Sequence, residues 1–286
     1  MKDHVAQGLE APACASFVVD REPPKTDAPW YLIDLAKCPD ALRRLFEAEP
    51  VPRYELPYLH SGHREQAYHG PLLIEPSMDD GHRWLRRWLL EGKALALYGQ
   101  ACLMEEVRDH FASLNWIHTP DGEGFLRYAD PVTFASFGDS LSRQQCQRLL
   151  GPLSAIHGFY AESHWALIKG YPEEGATLPN EPAHAPFELT RENLAAITVL
   201  RQKLLAAALA ETHGLHQEVV AGWFEQLAQL GAPSEQGLVE GAELLIQAPR
   251  TGLLNDDELA SLRRQDGSWA DTLEALVKLQ SLQEGP

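Results

Sequence analysis

The chain is 286 residues long, 44% hydrophobic and 23% charged, the balance of a soluble globular protein with room for one large domain or two ordinary ones. Its 41 acidic residues against 24 basic ones give a formal charge of -17, which repels phosphate backbones, so nucleic acid is not an expected partner. Four cysteines, Cys14, Cys38, Cys102 and Cys146, lack the short spacings of a zinc site or a disulfide framework and read as reduced core thiols.

The opening stretch Met1 to Glu10 has no apolar run for a signal-peptide core, and no later run nears the ~20 residues of a membrane span, so a cytoplasmic protein without a membrane partner is expected. Residues 1–29, with Pro12, Pro23, Pro24 and Pro29 and no sustained period, read as an extended arm, with a strand suggested at Ser16 to Asp20. From Trp30 the texture changes. Tyr31 to Leu35 is a short apolar run, and Cys38-Pro39-Asp40 opens an amphipathic helix from Ala41 to Ala48, stopped by Pro50 and Pro52.

Pro71 to Glu75 is a second apolar run, followed by Met78-Asp79-Asp80, which can cap a helix carrying Trp84, Leu85, Trp88 and Leu89 on one face. Lys93 to Tyr98 suits a buried strand, and Met104 to Ala112 has helical spacing with Glu105 and Glu106 in its first turn, where the helix dipole favours them. Asn115 to His118 and Phe125 to Tyr128 flank Pro120-Asp121-Gly122-Glu123-Gly124; its Asp-Gly supplies the positive φ of a tight turn, so two antiparallel strands are predicted. Asp130-Pro131 begins a short helix through Phe134, Ser142 with Gln145 caps another running to Leu150, and Trp165 to Lys169 returns to the sheet.

Residues 170–186 have the Pro, Gly and Glu content of a linker. Beyond it, Thr190 to Thr212, Leu215 to Leu230, Ser234 to Gln247, Asn255 to Arg264 and Ser268 to Leu282 read as successive helices. The expected fold is therefore an α+β domain over residues 30–169, with a mixed sheet flanked by helices, and an all-α domain over residues 187–286.

Catalytic constellations are hard to find. His60-Ser61-Gly62-His63 lies on a glycine-containing loop without the helical frame that aims two zinc-binding imidazoles, and His213 and His216 straddle Gly214. No Gly-x-Ser-x-Gly elbow and no glycine-rich phosphate loop occurs. Asp79-Asp80 and Asp256-Asp257 stand at helix starts, where capping accounts for them; Asp34 at a strand end and Asp130 in Arg127-Tyr128-Ala129-Asp130-Pro131 are the two carboxylates that stand out. No metal or cofactor is expected. A hydrolase using Cys102, Cys146 or His63 stays open, as does an immunity protein whose acidic surface caps a basic toxin.

The order Trp30-Tyr31-Leu32-Ile33-Asp34, Arg53-Tyr54-Glu55-Leu56, Gly70-Pro71-Leu72-Leu73-Ile74, Ala94-Leu95-Ala96-Leu97-Tyr98, Phe125 to Pro131 and Leu149-Leu150-Gly151-Pro152 resembles a known pattern. It is that of the type VI secretion effector-chaperone, or adaptor, domain, catalogued as domain of unknown function 4123. The resemblance spans about residues 30–160, and its most specific element is Arg-Tyr-x-Asp-Pro after an Asp-Gly hairpin, with Asp34, Arg127, Tyr128, Asp130 and Pro131 as signature residues. It implies a cytoplasmic adaptor, not an enzyme, that binds an effector toxin and hands it to the spike protein of the secretion apparatus. It also implies a shared α/β half and a variable, mostly helical C-terminal half. Such a protein needs apolar anchors for its partner, and Trp84 with Trp88, and Trp223 with Phe224, are the expected ones, because aromatic side chains carry much interface energy.

Overall fold

The computed structural model describes residues 16–99, 102–160, 163–169, 186–247, 252–263 and 268–283. Cys14, residues 1–15 of the expected arm and 170–185 of the expected linker lie outside the described residues. The chain divides into two compact units, Met1–Ile197 and Thr198–Pro286.

The first unit is α+β. Its main sheet holds β1 (Ser16–Val19), β2 (Trp30–Asp34), β3 (Arg53–Glu55), β4 (Pro71–Glu75), β5 (Ala94–Tyr98), β8 (Ala155–Tyr160) and β9 (Ser163–Ile168), in the order β1-β9-β8-β5-β2-β4-β3. Every pairing in it is antiparallel. The second sheet is the mixed one: β6 (Trp116–Thr119) pairs antiparallel with β7 (Gly122–Phe125) and parallel with β10 (Phe187–Glu188).

Central strands are apolar on both faces because both faces are covered; all five residues of β2 are buried. Register places Tyr31, Ala96 and His157 on one face, against which α2 (Asp79–Leu90) packs after α1 (Ala41–Ala48). On the other face Trp165 of β9 stacks on Phe17 of β1 at 5.4 Å and on Phe134 of α4 (Pro131–Phe137) at 5.8 Å. Opposite Trp165 only glycine fits: a Cβ on Gly158 would stand 2.2 Å from the indole. Packed alongside are α3 (Met104–Ala112) and α5 (Arg143–Leu150), the latter opened by a capping box in which Ser142 and Gln145 exchange hydrogen bonds.

One helix start departs from the sequence reading. Asp79 and Asp80 lie in the first turn of α2, but neither caps it; Glu49, buried just past α1, accepts from the Ser77 N–H at 2.9 Å, the Ser77 hydroxyl at 2.9 Å and the Met78 N–H at 3.4 Å. A carboxylate 28 positions away thus occupies the anion seat of the helix dipole.

The 23-residue α6 (Arg191–His213) begins in the first unit. There Asn193 exchanges hydrogen bonds with Thr190, and Leu194 and Ile197 pack on the large core, so the contacts divide inside α6 and not at the linker. It is long and apolar enough to cross a membrane by length and composition, with a mean hydropathy of 1.2; Arg201 and Lys203 stand in its middle, where charge is costly in lipid.

The second unit is all-helical: the rest of α6, then α7 (Gln217–Gln229), α8 (Glu235–Gln247), α9 (Asp256–Arg263) and α10 (Trp269–Gln283). Trp223 is fully buried at its centre and donates its indole N–H to the Gly252 carbonyl at 3.0 Å. Gly241 lets α8 lie close on α7, since a Cβ there would meet Leu227 at 2.8 Å.

Candidate functional site

Three segments far apart in sequence meet at the end of β2. Asp34, its last residue, is buried; one carboxylate oxygen accepts from the Ala36 N–H at 3.0 Å and the other from the Arg127 guanidinium. Lys37, in the turn that follows, donates to Asp130 at 2.6 Å, and the second oxygen of Asp130 caps α4 through the Val132 N–H at 3.1 Å. Pro131 takes the first helical position, where its missing N–H costs nothing. Two crossed ion pairs therefore fasten Arg127–Pro131 onto the Asp34–Lys37 turn.

Tyr128 points inward. Its ring stacks on Phe111 of α3 at 5.2 Å, and its hydroxyl is buried without a protein partner. Burial pushes its phenol pKa well up, as burial and then the Asp34 charge do for Tyr58, so both tyrosines stay neutral. Tyr58 sits in a 3₁₀ turn, Pro57–His60, and its ring lies so close to Gly70 that a Cβ there would be 2.3 Å away. Asp34, Tyr58, His69, Gly70, Arg127 and Tyr128 enclose a crevice of about 20 Å³, the size of one water and too small for an organic substrate.

The five signature residues thus come together, joined by Lys37, Tyr58 and Gly70, which sequence reasoning did not select. Beside them lies a surface it also missed. Register sets Trp116 opposite Phe125 and His118 opposite Glu123, on the face away from buried Ile117. That face is the solvent side of a hairpin, yet it carries Trp116 at 53% and Phe125 at 37% exposure. His63 lies 4.8 Å from Phe125 and 5.4 Å from Trp116, and Tyr58 lies 5.6 Å from Phe125, so the exposed rings rest on the same turn that closes the crevice. Period-2 reading of Trp116 to Thr119 could have found it: an indole sharing a face with His118 and Glu123 is out of place in a merely solvated hairpin.

Residues 30–148 match a family model described as Domain of unknown function (DUF4123). No curated protein and no solved structure matches the chain. The DUF4123 segment starts at the first residue of β2 and ends within α5, so it contains both ion pairs, the crevice and the aromatic surface, and leaves out β8, β9, β10 and the helical unit.

The other selected residues stand elsewhere. Trp88 is buried beneath the Arg44 guanidinium at 5.4 Å, with Trp84 edge-on at 4.9 Å and partly buried against the same core. Trp223 and Phe224 belong to the core of the second unit. All four rings pack inside their units in this conformation. His60 faces Glu55 at 3.2 Å, and His216 precedes α7. Among the described residues no three His, Cys, Asp or Glu side chains are grouped to hold a metal. Burial pushes the thiols of Cys38 and Cys102 up and that of Cys146 to about 11, so they are protonated at neutral pH.

Proposed function

We propose that the chain is a cytoplasmic adaptor of type VI secretion that binds an effector toxin and delivers it to the spike protein, working through its surface and not through bond-making. The observation that carries this reading is the pair of exposed aromatic rings, Trp116 and Phe125, held on a rigid base inside the DUF4123 segment. Aromatic side chains lose little conformational freedom on binding and supply much of the energy of protein interfaces. The resemblance of residues 30–160 to effector chaperones supplies the class of partner. The two crossed ion pairs suit the same role, since they fix the hairpin relative to the main sheet before any partner arrives.

Co-expression tests the reading. Produced with an effector toxin encoded beside it, the chain is expected to keep that toxin soluble and to co-purify with it. The double variant Trp116→Ala/Phe125→Ala is expected to lose the capture while melting at the wild-type temperature. A toxin that stays soluble and is exported normally in cells lacking the chain overturns the proposal.

A further inference from the structure

The second sheet is open along one side. In its order β10-β6-β7, β7 has no neighbouring strand on its outer edge among the described residues. Hydrogen bonds in an antiparallel pair alternate along the ladder. The Leu126 N–H donates to the Asn115 carbonyl at 3.0 Å, so the bonded pairs that follow are Ile117 with Gly124 and Thr119 with Gly122. The backbone groups of Trp116 and His118 then turn to the other side of β6, where the His118 carbonyl accepts from Leu189 at 2.8 Å, next to β10. By the same alternation the N–H and C=O of Glu123 and Phe125 point outward from β7. Two donors and two acceptors thus face solvent beside the aromatic surface, a ready template for another strand.

We infer that the open edge of β7 receives an extended segment of the partner protein as an added strand, with an apolar side chain opposite Phe125 and a Lys or Arg opposite Glu123. This deepens the adaptor reading and rests on it. The chemistry of the guest follows from the edge. A side chain opposite Phe125 continues the row that begins at Trp116 and packs on the Phe125 ring. Opposite Glu123, whose side chain is 72% exposed, a basic residue meets a carboxylate, and exposed Asp121 in the adjacent turn adds a second negative charge. In an antiparallel guest the apolar residue comes first and the basic one two positions later. A second copy of this chain is a poor guest: it would bring another Asp121 and Glu123 against the first pair, and like charges across strands destabilise.

The test uses the full chain and two short fluorescein-labelled peptides built on Ser and Thr: one carries Leu followed two residues later by Lys, the other has Glu in place of that Lys. Fluorescence anisotropy is expected to show the Lys peptide binding about tenfold or more tightly than the Glu peptide. Amide exchange is expected to slow at Glu123 and Phe125 when it binds. Glu123→Lys is expected to reverse the order of the two peptides. Glu123→Pro, which removes one outward N–H at a position where an edge strand tolerates proline, is expected to abolish binding of both at an unchanged melting temperature. Equal binding of the two peptides, no reversal by Glu123→Lys, or a wild-type dimer that Glu123→Pro splits into monomers overturns the inference. The adaptor reading fails separately. Effector capture undiminished by Glu123→Pro sinks strand addition and leaves the adaptor standing, whereas correct peptide selectivity without capture of any effector does the opposite.

Discussion

The guanidinium of Arg127 donates to the carboxylate of Asp34, joining residues 93 positions apart. The pair is unequal: Asp34 is buried, while the Arg127 side chain is half exposed. Removing the arginine leaves a buried carboxylate with the Ala36 backbone N–H as its remaining donor among the described residues. Arg127→Ala is therefore expected to cost about 1–2 kcal/mol, less than a fully buried pair because solvent screens the exposed partner. Urea unfolding measures it. A double-mutant cycle with Asp34→Asn is expected to show coupling, and strictly additive losses would mean that the pair does not hold the hairpin.

Glu49 gives a second test. Its carboxylate serves three donors at the start of α2, and a Cβ on Gly81 would stand 2.1 Å from one of its oxygens. Glu49→Ala removes this buried carboxylate from three donors that water can partly replace, because Ser77 and Met78 are exposed, and is expected to cost about 1–2 kcal/mol. Gly81→Ala acts by pushing the same carboxylate from its seat. The two losses are expected to be less than additive in thermal or urea unfolding, whereas independent effects would separate them.

The stability of the protein is expected to fall on mild acidification through His157. This side chain is buried on the sheet with the Tyr98 ring at 5.3 Å, and burial, then the nearby charge of Arg21, lower its pKa to about 4. In the unfolded chain it titrates near its ordinary value of about 6.5. Between those values the unfolded chain binds the extra proton, so stability rises with pH across the window and is lost as pH drops from about 6.5 towards 4. His110, lowered to about 4 chiefly by burial while its Nε2 meets the Leu149 carbonyl at 2.9 Å, acts in the same direction. Urea midpoints of wild type and His157→Gln, taken from pH 7 to pH 4.5, are expected to converge towards acid. Parallel curves would remove His157 as a cause.

Much of the scaffold was legible because its signals are local. Ser142 and Gln145 form the capping box that their spacing announces, Asp130 and Pro131 take the cap and first-turn positions, and Gly122 has φ +132 at the hairpin turn. Errors came where a distant residue decides. The hairpin turns at Pro120-Asp121, which puts Gly122 to Phe125 into β7 and frees Arg127 and Tyr128 to leave the sheet; pairing with β6, and not residue preference, fixed that register. Strand β8 is not among the predicted elements: Gly158 and His157 interrupt its strand formers Ile156, Phe159 and Tyr160, and the segment is held between β5 and β9. The cap of α2 by Glu49 leaves no local mark at all. For the site, the signature residues are visible as a motif, while Trp116 and Phe125 emerge as one surface only once the register sets them opposite each other.

A single pair of substitutions separates the buried tryptophan of the helical unit from the exposed one of the hairpin as the docking element. Trp223 is fully buried, its ring filling the helical unit and its N–H bound to Gly252, so Trp223→Ala is expected to cost about 3–5 kcal/mol and to affect binding only in proportion to unfolding. Trp116 is half exposed on the hairpin and has little packing to lose, so Trp116→Ala is expected to change stability by less than about 1 kcal/mol while weakening effector capture by about tenfold or more. Melting temperature and quantitative pull-down on the same samples separate the two effects. Should Trp223→Ala abolish capture at a wild-type melting temperature, the helical unit would open to present that ring to the partner, and the hairpin would lose its place as the docking surface.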